Sequence, residues 1–175
     1  MNAIDFVSSI SKITPKKSDI KENTGFSDSF VDTYINDMRI VKKISDVNIA
    51  DNNAILNLIY NYDLTKFSIL SISFNKAEDI VEDENYIYIG WVEAFPFAIA
   101  KKTGEIVELA WEDPTFIVSY MAKDQCSFLD ILIEMEKLNQ KDILGSINCE
   151  RQNELQQILN IAGGDKYTWA ISVMS

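Results

Sequence analysis

Residues 86–111 read YIYIGWVEAFPFAIAKKTGEIVELAW, and this stretch decides the fold. Tyr86-Ile87-Tyr88-Ile89-Gly90 has the composition of a strand. Phe95, Phe97 and Ile99 then alternate along a second strand, Phe95 to Ala100. Lys101-Lys102-Thr103-Gly104 supplies a hairpin turn whose glycine is free to take positive φ. Glu105 to Trp111 returns antiparallel, with Ile106 out of phase with Val107 and Leu109. Asp113-Pro114 breaks that strand, and Phe116 to Met121 offers one more.

Helical spacing flanks this meander on both sides. Ala3, Phe6, Val7, Ile10 and Ile13 form one stripe ahead of Pro15, which predicts a helix over about 2–12. Ser18-Asp19 caps a short second helix that stops at Gly25, and a third runs from Ser27 to Met38 with Phe30, Tyr34 and Met38 on one face. Arg39 to Ile44 is a short candidate strand. Asp51-Asn52-Asn53 marks a turn, and Ile55, Leu58, Ile59 and Tyr62 recur helically. Phe67 to Phe74 is apolar and β-rich, as expected of a central strand. Glu78 to Glu84 reads as a solvated acidic loop. Asp124 caps a long helix carrying Phe128, Leu129, Leu132, Ile133 and Leu138, and another follows over about 149–162. Gly163-Gly164 ends it, and Tyr167 to Val173 reads as a closing strand. Helices, then strands, then helices indicate an α+β fold with a mainly antiparallel, mixed sheet flanked by N-terminal and C-terminal helices. Residues 1–175 are expected to form one domain, with 140–175 a C-terminal extension of helix plus strand packed on it.

A chain of 175 residues, 47% of them hydrophobic, can bury a core without disulfide or metal staples, so no cofactor is expected. Its formal net charge of −11 repels phosphate backbones and anionic membrane surfaces, and favours a basic protein partner. Histidine is absent, which removes Ser-His-Asp and Cys-His nucleophilic sites and almost every catalytic zinc site. The cysteines, Cys126 and Cys149, form no close-spaced pair. Together with an N-terminus lacking the features of a secretory signal, they point to a reducing, cytoplasmic setting. No run approaches the roughly 20 apolar residues that span a bilayer. Asp46, Asn48 and Asp51 faintly suggest a calcium loop, but Asn57 stands where the closing acid is needed. With 27 acidic residues, coincidental carboxylate pairs say nothing about acid/base chemistry, and an enzyme is not expected.

Ile89-Gly90, Phe97-Ala98-Ile99, Thr103-Gly104-Glu105-Ile106, Trp111-Glu112-Asp113-Pro114, Ala122-Lys123-Asp124 and Phe128-Leu129-Asp130-Ile131-Leu132 follow one another in that order. On these motifs residues 55–135 resemble the SUKH superfamily. Ile59-Tyr60-Asn61-Tyr62-Asp63 and Ile69 to Phe74 extend the resemblance upstream. No Asn-Gly-Gly-type turn follows Met38, and residues 140–175 run past the usual end of the pattern. The resemblance implies an immunity-type protein that neutralises a cognate bacterial toxin of a polymorphic system by direct binding. It also implies an alternative, a regulatory adaptor or scaffold without a toxin partner.

Candidate partner-binding residues lie on the acidic loop and beside the hairpin. Glu78, Asp79, Glu82, Asp83 and Glu84 are expected to be solvated, and are placed to meet lysines and arginines of a basic cleft. Trp91, Glu93, Glu112 and Asp113 flank the strands. Trp91 follows Gly90, interrupts the alternation and is expected to be partly exposed, whereas Trp111 is expected in the core. Cys126 is expected to be a small, inert residue near the start of the long helix. The oligomeric state and the toxin's chemistry stay open.

Overall fold

The computed structural model describes residues 1–44, 47–50, 52–145 and 150–174. Three helices open it: α1 (Ala3–Ile13), α2 (Lys17–Asn23) and α3 (Asp28–Asp37). A short strand β1 (Val41–Lys42), helix α4 (Ala54–Asn61) and strand β2 (Tyr62–Asp63) follow. Next come β3 (Ser68–Ile69), β4 (Ile72–Phe74), a 3₁₀ turn at Ala77–Asp79 and β5 (Val81–Glu82). The long strands are β6 (Tyr86–Val92), β7 (Phe95–Ala100), β8 (Ile106–Leu109) and β9 (Ile117–Ala122). Helices α5 (Gln125–Ile143), α6 (Arg151–Ala162) and α7 (Trp169–Met174) complete the described chain.

The main sheet runs β3-β4-β6-β7-β8-β9, with β5 added beside β6, and each of its described pairings is antiparallel. This is the expected α+β architecture. Paired residues share a face. Ile87, Ile99, Ile106 and Ala122 therefore form one row on the inner face, and Phe74, Gly90 and Phe97 another. The helices gather on that side. Helix α5 packs against α1, α4, α6, α7 and β9, which explains why Phe128, Leu129, Ile131, Leu132, Ile133 and Met135 bury nearly its whole circumference. Aromatic contacts run through this core from Phe6 to Phe67, Phe74, Phe97, Phe128 and Trp169, with successive centroids 5.4–6.2 Å apart.

Local signals account for most boundaries. Asn2, Ser27 and Asp124 cap α1, α3 and α5, accepting from the amides of Asp5, Phe30 and Ser127 at 2.9, 3.3 and 2.7 Å. Helix α4 is capped from afar. Asn53 makes no side-chain cap bond, and Gln125 Oε1 accepts instead from Ile55 and Leu56 amides at 2.9 and 3.3 Å. Gly104 takes φ +78° in the β7–β8 turn.

Ser18-Asp19 does not cap α2, because both residues lie inside the helix and Lys16 stands at the cap position without a side-chain bond. Four further expectations change. Phe67 to Phe74 is not one central strand but an edge hairpin, turning through Leu70 and Ser71 at φ 51° and 65°. Positive φ at both central residues gives the turn the twist a hairpin needs, without the glycine that would announce it. Tyr167 to Val173 is not a strand: Trp169, Ala170 and Met174 are buried along helix α7, with Trp169 against Phe128. The acidic stretch is partly ordered, because Val81 and Glu82 pair with Tyr88 and Ile87. On α3 Val31 joins Tyr34 and Met38 on the inward face, whereas Phe30 stacks outside on Phe26 at 4.6 Å. Asp46, Asp51 and Cys149 lie outside the described residues.

Helix α3 docks through a buried polar cluster. Glu136 on α5 is 1% exposed. It accepts from the Tyr34 hydroxyl on α3, from Gln140 Nε2 at 3.0 Å and from Asn139 Nδ2 at 3.3 Å. Burial pushes its pKa above the ordinary 4.5, and the donors only partly offset that. A raised carboxyl pKa stabilises the fold fully below 4.5, and that contribution is lost as pH rises through the folded value. Glu136→Gln should therefore gain stability relative to wild type as pH rises from 4.5 to 7. Unfolding free energies from urea titrations should diverge by about 1.4 kcal/mol for each unit of pKa elevation. A pH-independent difference would contradict this. Ser71→Gly, which relieves the left-handed strain at an exposed turn, should stabilise by about 1 kcal/mol in thermal melts.

Candidate functional site

The outer face of the sheet has its own apolar cluster. Ala98, Val107 and Leu109 are fully buried there, and the side chains over them are Tyr86, Tyr88, Ile117 and Tyr120. Each of these residues belongs to a strand, so the face is roofed by its own aromatic rings and not by a helix. Register explains the grouping. Tyr88, Ala98, Val107 and Tyr120 form one cross-strand row, with Val81 beside Tyr88, and Ser73, Trp91 and Pro96 form the next.

A bulge between Tyr88 and Gly90 offsets strand β6 by one residue. Tyr88 and Trp91 thus share a face although three positions separate them, which is why Trp91 breaks the sequence alternation. Gly90 allows this. A Cβ there would lie 2.2 Å from the Ser73 carbonyl and 2.5 Å from the Phe97 ring. Trp91 is half-buried, and its ring meets Trp111 at 5.4 Å between centroids with planes tilted 44°. Trp111 is 65% exposed, so its expected core position is corrected. It sits beyond the end of β8, where no layer covers it.

The two indoles open a cleft of about 530 Å³ with Tyr88, Pro96 and Pro114. Asn75, Gly90, Val81 and Asp79 complete the lining, with Val81 62% exposed. Asp79 is the one charged residue of that lining among the described residues.

The other acidic candidates separate by task. Asp83 holds the β5–β6 turn: Oδ1 accepts from the Asn85 and Tyr86 amides at 2.7 Å each, and Oδ2 from the Tyr88 hydroxyl at 2.7 Å. The Tyr88 bond, aided by the two amides, keeps its pKa below the ordinary carboxylate value. Burial and the same bond push Tyr88 up to about 12. Glu82 pairs with Lys101 at 2.9 Å. Asp113 accepts from the Thr115 hydroxyl and amide at 2.6 and 3.0 Å, which lowers its pKa. Glu84 and Glu112 are exposed on the turns flanking the aromatic face. Glu93 leaves this group, since its φ of 52° turns it toward a separate cleft lined by Ser71, Arg151 and Met174.

At the β9 side of the same face, Lys166 lies 3.9 Å from the Tyr120 ring centroid. It also pairs with Glu105, which accepts from the Tyr167 hydroxyl at 2.6 Å. Burial works against ionisation of Glu105, yet these donors hold its pKa below the ordinary value. Tyr88, Pro96 and Tyr120 were not singled out from the sequence. The signal was present in β6, where tyrosines and isoleucines alternate. No group of three or more metal-ligating side chains occurs among the described residues, and no described helix is long and apolar enough to cross a membrane.

The chain matches no protein-family model, and no curated protein or solved structure matches it.

Gly90→Ala should destabilise the fold by about 3 kcal/mol, because backbone lies on one side of the added methyl and a core ring on the other. Chemical denaturation measures it; a loss under about 1 kcal/mol would mean that the sheet and the Phe97 ring adjust freely.

Proposed function

We propose that this chain is an immunity-type protein, SUKH-like in design, that neutralises a cognate bacterial toxin by stoichiometric binding inside the producing cell. The observation that carries this reading is the outer sheet face: strand-borne aromatics, left without a helical layer, on a chain of net charge −11. Exposed aromatic surface beside a wide cleft is suited to protein contact, because tryptophan and tyrosine bury large areas at low entropic cost. The partner's chemistry follows from charge. A toxin that acts on nucleic acid needs a basic cleft to hold phosphate, and such a cleft is drawn to an acidic surface.

The division among the carboxylates sharpens the mechanism. Asp83 and Asp113 are occupied in shaping turns, and Glu82 is paired with Lys101. Glu84, Glu112 and Asp79 are exposed, so they steer the encounter, and Trp91 and Trp111 supply the anchor.

Co-expression with the cognate toxin domain tests the proposal. A 1:1 complex of micromolar affinity or tighter, with loss of toxin activity, is expected. Failure to form it would leave the adaptor alternative. Within the complex, Glu84→Lys with Glu112→Lys should slow association about tenfold at low salt, less so at high salt. Trp111→Ala should weaken affinity by about 2 kcal/mol, mainly through faster dissociation. Asp83 is a poor position for charge reversal, because its loss unmakes the β5–β6 turn.

A further inference from the structure

We infer that the cleft walled by Trp91 and Trp111 is an arginine-selective slot, taking the guanidinium of a side chain projected by the partner; this rests on the proposed role of the outer face. The two indoles touch, with centroids 5.4 Å apart and planes tilted by 44°, so together they form one aromatic wall of the cleft and leave no gap for a guest between them. A planar cation entering the cleft lies against that wall, and indole is the strongest of the aromatic platforms for cations. Pro96 and Pro114 form part of the walls and carry no backbone donor to compete with the guest. Asp79 lines the same cleft as its sole formal charge, and among the described residues no cation is paired with it. An arginine stacked on the rings can present its fork of donors to that carboxylate.

The same face already holds a cation in this way. Lys166 places its ammonium 3.9 Å from the Tyr120 ring centroid while pairing with Glu105. Aromatic ring plus carboxylate is thus a combination that this sheet face satisfies with its own lysine at one side and leaves open at the other. Arginine suits the open side better than lysine, because its guanidinium is flat and more weakly hydrated than an ammonium.

The test titrates the full chain with acetylated, amidated tri-arginine, tri-lysine and tri-citrulline peptides, following tryptophan emission. Trp169 is 3% exposed, so the change reports Trp91 and Trp111. Saturable quenching by tri-arginine is expected, about fivefold tighter than by tri-lysine and absent with neutral tri-citrulline. Trp111→Ala removes an exposed ring, keeps the core, and leaves Trp91 as reporter. It should weaken tri-arginine binding about fivefold or more, and Asp79→Asn about threefold. Equal binding of the two cationic peptides, unaltered in Trp111→Ala, would overturn the slot in favour of diffuse attraction to an acidic surface. Equal quenching by tri-citrulline would overturn it in favour of an apolar guest. The two proposals fail separately. A toxin complex indifferent to Trp111→Ala sinks the slot alone, and tri-arginine binding without any toxin complex sinks the immunity reading alone.

Discussion

The Phe97 ring seated over Gly90 and against Phe128 is the contact on which the rest of the structure depends. Gly90 has no side chain, so the ring occupies the volume that a Cβ would fill. That seat ties β7 to β6 and carries the sheet onto α5, the helix packed by most of the others. It also settles register. With Phe97 inward, Ile87, Ile99 and Ile106 are inward too, and Tyr88, Ala98 and Val107 must face out. A slip of one residue would exchange the two sets, sending tyrosines into the core.

The outer face is the consequence. Small residues in the middle strands, Ala98 and Val107, let the larger Tyr88 and Tyr120 lie over them. The face is thereby apolar beneath and aromatic on top. The bulge that Gly90 permits brings Trp91 into this set, and the break at Asp113-Pro114 leaves Trp111 beside it. Electrostatics then divides the acids. Those whose carboxylates meet backbone amides or hydroxyls shape the turns, and Glu84, Glu112 and Asp79, exposed and outside those turn bonds, are left to set the field a partner meets.

Much of the fold was legible because its signals are local. The Thr103-Gly104 turn, the cap at Asp124 and the stripe on α1 each depend on a few neighbouring residues. The misreadings share a different cause. Leu70 and Ser71 turn the chain in a left-handed conformation that neither residue favours, held by the pairing of β4 with β6 and by the Glu93 amide donating to the Ser71 carbonyl. The last segment alternates well enough for a strand, but Trp169 and Met174 reach the core only from a helix. Of the candidate site, Trp91 was legible from its broken alternation. Trp111 was misplaced because hydrophobicity alone predicts burial, whereas burial needs a second layer to pack against. Glu93 was grouped with the others by sequence distance, and its positive φ separates it.

The sequence by itself determined the strand meander, the flanking helices, the acidic field and the absence of histidine chemistry, since these follow from composition and short-range pattern. Only the tertiary structure decided which aromatics stand outside, which carboxylates are free to act, and that two tryptophans twenty positions apart share one cleft. Those properties are set by register, by a single bulge and by the side of the sheet on which the helices collect. Each depends on contacts between residues far apart in the chain, and no local pattern encodes them.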